Sequence, residues 1–188
     1  MPWQIDPAHS EIQFAIRHLM ISTVRGQFEK FTGTVNANED DPTQSSVEVQ
    51  IEAASINTRT SQRDEHLRSP DFLNAAQYPY IMFKSKRIDQ VDGTHGRIIG
   101  DLTIRDVTHE VTLEVEYAGQ SSTPWGTTSA GFSAQTRFNR KDWGLNWNQS
   151  LETGGVLVGD EVKVSIEIEV VKLPDQVPQA EPAEAVAA

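Results

Sequence analysis

The chain has 188 residues, no cysteine and a formal net charge of -11 at pH 7. That length suits one domain with a sizeable hydrophobic core. Without cysteine there are no disulfides, thiolate nucleophiles or cysteine-bound zinc, and the acidic balance argues against a nucleic-acid binder and against adhesion to anionic membranes.

The opening stretch has neither a basic n-region nor an apolar h-region, and no apolar run nears the roughly 20 residues of a membrane span. A soluble, cytoplasmic protein is the expectation. After a weak first strand, EIQFAIRH (11–18) sets Ile12, Phe14 and Ile16 against Glu11, Gln13, Ala15 and Arg17, with His18 following in the apolar phase. A period of two marks an extended chain with one wet and one buried face. VRGQFEKFTGTV (24–35) is weaker: Phe28 and Phe31 are three apart, which predicts a phase-restoring bulge near Gly33. SVEVQIEA (46–53) returns to strict alternation through Val47, Val49 and Ile51.

SINTRTSQRDEHLRSPDFLN (55–74) breaks the pattern. Ser61 precedes Asp64 by three, a cap-like pairing that predicts a short charged helix, and Ser69-Pro70 predicts a second helical turn. Leu67, Phe72 and Leu73 give this insertion an apolar side with which to cover one end of a sheet. Arg63, Asp64, Glu65 and His66 read either as a solvated helix face or as the rim of a site.

YIMFKSKRI (80–88) and GRIIGDLTI (96–104) are further strands, followed by EVTLEVEY (110–117) with Val111, Leu113, Val115 and Tyr117 in phase. SAGFSAQTRF (129–138) comes next. KDWGLNWN (141–148) then alternates Trp143, Leu145 and Trp147 with Gly144, Asn146 and Asn148, which predicts a strand with two indoles on one face. EVKVSIEIEV (161–170) is the cleanest strand of all. EDDPTQ, DGTHG, DVTHE, SSTPWG and ETGG supply turns between them. Many short strands with regular turns predict a sandwich or barrel. From Pro174 the proline- and alanine-rich tail has no periodicity, so the division expected is a domain over 1–173 and a disordered tail over 174–188.

No catalytic constellation emerges. His109-Glu110 opens like H-E-x-x-H, but the fifth residue is Leu113 and the segment is strand. The five histidines are scattered, so no metal is expected. Gly154–Asp160 lacks the Gly-Lys ending of a phosphate loop, and no G-x-S-x-G elbow exists. His18 reads either as a core histidine satisfied locally or as a polar group placed at a ligand's head.

Several stretches together resemble the YceI-like family of bacterial lipocalin-like proteins that bind polyisoprenoids. They are WQIDPAHSEIQFAIRHLM, VRGQFEKFTGTV, SINTRTSQRDEHLRSPDFLNAAQYPYIMFKS, GDLTIRDVTHEVTLEVE and NRKDWGLNWNQSLETGGVLVGDEVKVSIEIEV, in family order over nearly all of 3–172. The resemblance implies an all-β, eight-stranded antiparallel barrel with a short helical insertion and a long apolar channel. It implies a long-chain isoprenoid or related lipid as ligand, such as an isoprenoid quinone or polyprenyl phosphate, no other cofactor, and homodimers in several members. Many members are periplasmic, whereas this chain shows no signal, and the tail lies outside the family pattern. No enzymatic residue is carried over.

The candidate channel lining comprises Phe14, Ile16, His18, Phe28, Phe31, Ile81, Phe83, Phe132, Phe138, Trp143, Leu145 and Trp147. A small barrel is either filled by side chains or holds one ligand, and periodicity alone does not separate the two. The leading expectation is non-catalytic lipid binding, storage or transport, with at least one indole on the channel. The alternatives are an enzyme acting on such a lipid through His18, and a stress-related scaffold with a filled barrel.

Overall fold

The computed structural model describes residues 2–173, so the 174–188 segment and the domain boundary set there lie outside the described residues. The strands are β1 (Pro2–Ile5), β2 (Glu11–His18), β3 (Ser22–Phe28), β4 (Phe31–Asn36), β5 (Ser46–Glu52) and β6 (Ile56–Asn57). After helix α1 (Ser61–Arg68) come β7 (Tyr80–Gln90), β8 (His95–Ile104), β9 (Val107–Ser122), β10 (Thr128–Asn139) and β11 (Glu161–Lys172).

These segments fill eight strand positions of a closed antiparallel barrel. β11 pairs along one edge with β10; its other edge takes β2 through Lys163–Glu167 and β1 through Val170–Lys172. β1 and β2 are therefore two halves of one strand position. The same holds for β3 with β4 and for β5 with β6, since β2 pairs β3 and β3 pairs β6 while β1 pairs β4 and β4 pairs β5. From β7 to β11 the chain is a plain meander, and closure onto β1 and β2 leaves no open sheet edge at that seam.

Serine hydroxyls patch the breaks. Glu169 donates its N–H to Ser10 Oγ (3.0 Å), and Ser55 Oγ accepts from Lys30 N–H (3.1 Å) while donating to Glu52 O (2.7 Å). At a register shift beside Ser85, Val47 N–H finds Ser85 Oγ at 2.8 Å. Each hydroxyl stands in for a ladder partner that the break in pairing removes. The break at Glu29-Lys30, not a bulge at Gly33, resets the phase between Phe28 and Phe31. Inward glycines make room for rings: a Cβ on Gly26 would lie 2.4 Å from Phe14 Cζ, and one on Gly100 2.6 Å from Phe83 Cζ.

One end of the barrel carries both chain ends of the domain and the 37–45, 91–94 and 123–127 connections; we call it the far end. The opposite, helix end carries the β2–β3 turn, α1, the 105–106 turn and the long 140–160 connection. α1 differs in detail from expectation. Thr60 is its N-cap and makes no side-chain cap, while Asp64 is buried and accepts from Thr58 N–H (2.8 Å) and Oγ1 (2.5 Å). Ser69-Pro70 opens a single turn that does not extend into a helix: Phe72 N–H closes it on Ser69 O (3.0 Å), and Ser69 Oγ donates to His66 O (2.6 Å).

KDWGLNWN is not a strand. Asn139 caps a single 3-10 turn over Arg140–Trp143 by accepting Lys141 N–H, and Gly144 ends it at φ 75°, ψ 14°. The left-handed glycine reverses the chain, which a strand does not allow. The β2–β3 tip is unusual as well. Ile21 N–H bonds His18 O (3.2 Å), with Leu19 at φ 53° and Met20 at φ 62°. Positive φ at both central residues is the type I′ pattern that normally calls for Asn and Gly, and it costs other L-residues about 1–2 kcal/mol each.

Candidate functional site: the barrel tunnel

The barrel interior is not filled. A cavity of about 760 Å³ runs through it, lined by the inward phases of the strands and closed by α1 and the 145–158 loop at the helix end. Its size falls within the roughly 300–1,000 Å³ of small-molecule sites. The walls are apolar for most of their length, and polar groups gather at the ends: His18, Arg63, His66 and Arg140 at the helix end, Glu39, Asp92, His95 and Gln120 at the far end.

All but two of the candidate residues line this tunnel. Phe14, Ile16 and His18 come from β2, Phe28 from β3, Ile81 and Phe83 from β7, Phe132 and Phe138 from β10, and Leu145 and Trp147 from the loop. Phe31 and Trp143 do not; both are buried in the surrounding core. Trp143 is 2% exposed, its Nε1 donates to Leu102 O (2.9 Å), and its ring meets Phe138 and His109 edge-on at 4.7 and 5.2 Å. The sequence placed both indoles on one face because it took the segment for a strand. The 3-10 turn and Gly144 separate them, so Trp143 packs within the wall and Trp147 faces the tunnel.

Trp147 belongs to an aromatic lid. Its ring stands 4.6 Å from His66 and 5.4 Å from Phe72, and His66 meets Phe72 at 5.1 Å. His66 Nε2 also lies 2.8 Å from Asp71 Oδ2, which fixes the ring against the insertion. Arg63 is held by Thr58, through Nε to Oγ1 and Nη2 to the carbonyl, both at 2.7 Å. Of the Arg63–His66 run, only Glu65 is exposed; Asp64 is buried, and Arg63 and His66 line the tunnel. His18 lines the tunnel at its helix end, and its ring makes no hydrogen bond to any described residue.

Arg140 holds the lid in place, and the sequence reading missed it. It is 1% exposed, and its guanidinium donates to the carbonyls of Leu145 (2.6 Å), Trp147 (2.9 Å) and Gly159 (2.9 Å). Desolvation lowers its pKa from the ordinary arginine value, and the Asp160 carboxylate, 3.8 Å away, opposes that shift. Charged groups this deep persist only when hydrogen-bonded or paired. From the helix side of the barrel, Arg105 Nη2 reaches Trp143 O (3.2 Å) and Gly144 O (2.6 Å), fastening the start of the same loop.

Also unforeseen is a surface group at the β1–β2 break, where Asp6, His9 and Glu169 bring ligand atoms within 4.8 Å of one another. Asp6 there already accepts Ala8 N–H and sits 2.7 Å from His9 Nδ1. Among the described residues no helix is long and apolar enough to cross a membrane.

The YceI-like domain model matches residues 3–170. This chain belongs to the YceI-like family. A UPF0312 protein of Staphylococcus aureus is 39% identical over 159 residues, covering 84% of this chain and 90% of that protein. Burkholderia cenocepacia BcnA superposes with a TM-score of 0.77 at 22% identity, covering 88% of this chain and 98% of its own. A polyisoprenoid binding domain from Saccharophagus degradans, implicated in plant cell wall breakdown, superposes with a TM-score of 0.63 at 13% identity, covering 92% and 98%. The YceI-like barrel thus accounts for the whole described body.

Proposed function

We propose that the protein binds one long-chain lipid, an isoprenoid quinone, polyprenyl phosphate or comparable polyisoprenoid, inside its barrel, and stores or carries it without catalysis. The observation that carries this reading is the largely apolar tunnel of about 760 Å³ whose polar groups gather mostly at its ends. Burying a branched hydrocarbon there contributes about 0.8 kcal/mol per methylene, so a long chain binds tightly with few polar contacts. Family membership and a structural neighbour described as polyisoprenoid-binding support the same ligand class. Proton transfer on a lipid would call for a group to orient His18, and among the described residues its ring has no hydrogen-bonded partner, which favours a binding role.

Mass spectrometry of an organic extract of the purified protein tests this directly, together with titration of the stripped protein with a long-tailed ubiquinone. A co-purifying polyisoprenoid, or saturable one-to-one uptake, is expected. Protein that yields no lipid and takes up none would overturn the proposal.

A further inference from the structure

The β2–β3 tip is built against its own backbone preference. Leu19 and Met20 both hold positive φ, Met20 is 57% and Ile21 77% exposed, and the turn directly follows the tunnel-lining His18. Asn and Gly would make this turn without strain. The fold holds it through Leu19 N–H on Leu157 O (2.9 Å) and Arg17 Nη2 on Met20 O (3.2 Å), yet leaves the Met20 and Ile21 side chains in solvent, where they add nothing to folding. Strain of this kind is concentrated: Leu19, Met20, Arg59, Asn74 and Arg105, the non-glycine residues at positive φ among those described, all lie at the helix end. Beside the tip is a second narrow turn, closed by Leu151 N–H on Gly155 O (3.1 Å). Its Gly154-Gly155 side faces the tip without side chains, and Met20 Cγ lies 3.6 Å from where a Gly155 Cβ would be.

We propose that the Leu19–Ile21 tip inserts into the face of a lipid bilayer and sets the helix end of the tunnel against the membrane; this rests on the lipid-binding reading above. A long isoprenoid leaving a bilayer freely would expose every methylene to water, and a docked mouth avoids that exposure. A stable protein partner would need about 800 Å² of this surface, far more than one hairpin tip offers. A bilayer needs no such area, because it envelops each protruding side chain separately. Charge does not drive the contact. The chain carries a net -11 and acidic residues stand at both ends, Glu65, Asp142 and Glu152 at the helix end and Glu39, Asp40, Asp41 and Asp92 at the far end, so the contact proposed is apolar insertion into an uncharged bilayer face. Trp125, 81% exposed in the β9–β10 turn, is the competing anchor, but it stands at the far end, away from the lid and the strained tip.

The test uses the full chain, stripped of lipid, with phosphatidylcholine vesicles carrying a long-tailed ubiquinone. Three proteins are compared: the wild type, the Met20→Ser/Ile21→Ser double variant and Trp125→Ser. Flotation and the rate of quinone uptake are read from vesicles, and uptake is read separately from detergent micelles. The wild type and Trp125→Ser should float with vesicles in low and high salt. The double variant should lose about tenfold or more in both vesicle readouts, with micelle uptake unchanged. Wild-type protein that takes up quinone from micelles but does not float overturns docking alone. So does equal flotation of the double variant, release by high salt, or loss in Trp125→Ser instead. Failure of wild-type uptake from micelles and vesicles alike overturns the lipid-binding reading as well.

Discussion

The two ends of the barrel are made differently. At the far end the turns use residues suited to them: Asp41 caps a 3-10 turn that begins with Pro42, Asp92 accepts from the N–H groups of Thr94 and His95, and Gly126 takes the positive φ. At the helix end Leu19, Met20, Arg59, Asn74 and Arg105 hold conformations that glycine would hold more cheaply. A buried arginine, a buried aspartate and an aromatic trio offset that cost. Local stability is therefore spent at one end only, and that is the end where polar groups converge on an apolar tunnel. Strained backbone held by an over-determined surround clusters at working surfaces, which agrees with the membrane docking proposed for this end.

Perturbing the two tryptophans should break this arrangement most. Trp143→Ala removes a wall residue and should cost about 3–5 kcal/mol, while Trp147→Ala, facing open space, should cost about 1–2 kcal/mol. Urea unfolding measures both, and equal losses would erase the distinction between wall and lining. Quenching of emission by bound ubiquinone should weaken in Trp147→Phe, leaving the share from Trp3, which also lines the tunnel, and should persist undiminished in Trp143→Phe. Arg140→Leu comes next. It strips donors from the carbonyls of Leu145, Trp147 and Gly159, at a cost of about 3 kcal/mol, and hydrogen exchange over residues 145–159 should rise. If protection there did not change, the lid would be held by something else. Gly144→Ala is milder, about 1–2 kcal/mol, because its φ of 75° disfavours a side chain and a Cβ would lie 2.8 Å from Arg105 Nη2. A variant as stable as wild type would mean the turn relaxes to another shape.

What the sequence made legible was whatever depends on one strand alone. EVKVSIEIEV alternates because each residue sees either water or the interior, whichever strand lies beside it. The inward phase of β9, with Val111, Leu113, Val115 and Tyr117, also lines the tunnel and was readable by the same rule. What failed depended on partners far along the chain. Nothing in the spacing of Ser10 or Ser55 announces that a hydroxyl will replace a ladder bond and split a strand position in two. Arg140 sits in a polar run that reads as surface, and only carbonyls presented by residues 145–159 make its burial tolerable. In KDWGLNWN the period of two was real but short, and a single left-handed glycine cancelled it.

The far end offers the gentlest test, through acid. Backbone N–H groups of Thr94 and His95, with the His95 ring, hold the Asp92 carboxyl down to about 2, from an ordinary 3.8. Glu39 is lowered by Lys172 and Asp41 by Thr43, so the carboxylates that fasten these loops share one direction of shift. A carboxylate with a depressed folded pKa stabilises the fold fully above its unfolded value and loses that contribution as pH falls through the folded one. For Asp92 the loss therefore belongs between about pH 3.8 and pH 2. Because these groups are exposed, solvent screening keeps the effect local. The Thr94 and His95 amide resonances should shift with a midpoint near 2, while those of the lid segment 145–159 do not follow them. In Asp92→Asn that titration should vanish, with the urea midpoint at neutral pH nearly unchanged. A midpoint at 3.8 would mean the Asp92 cap is not formed in solution, and the far end would then lack the well-made turns that set it apart from the helix end.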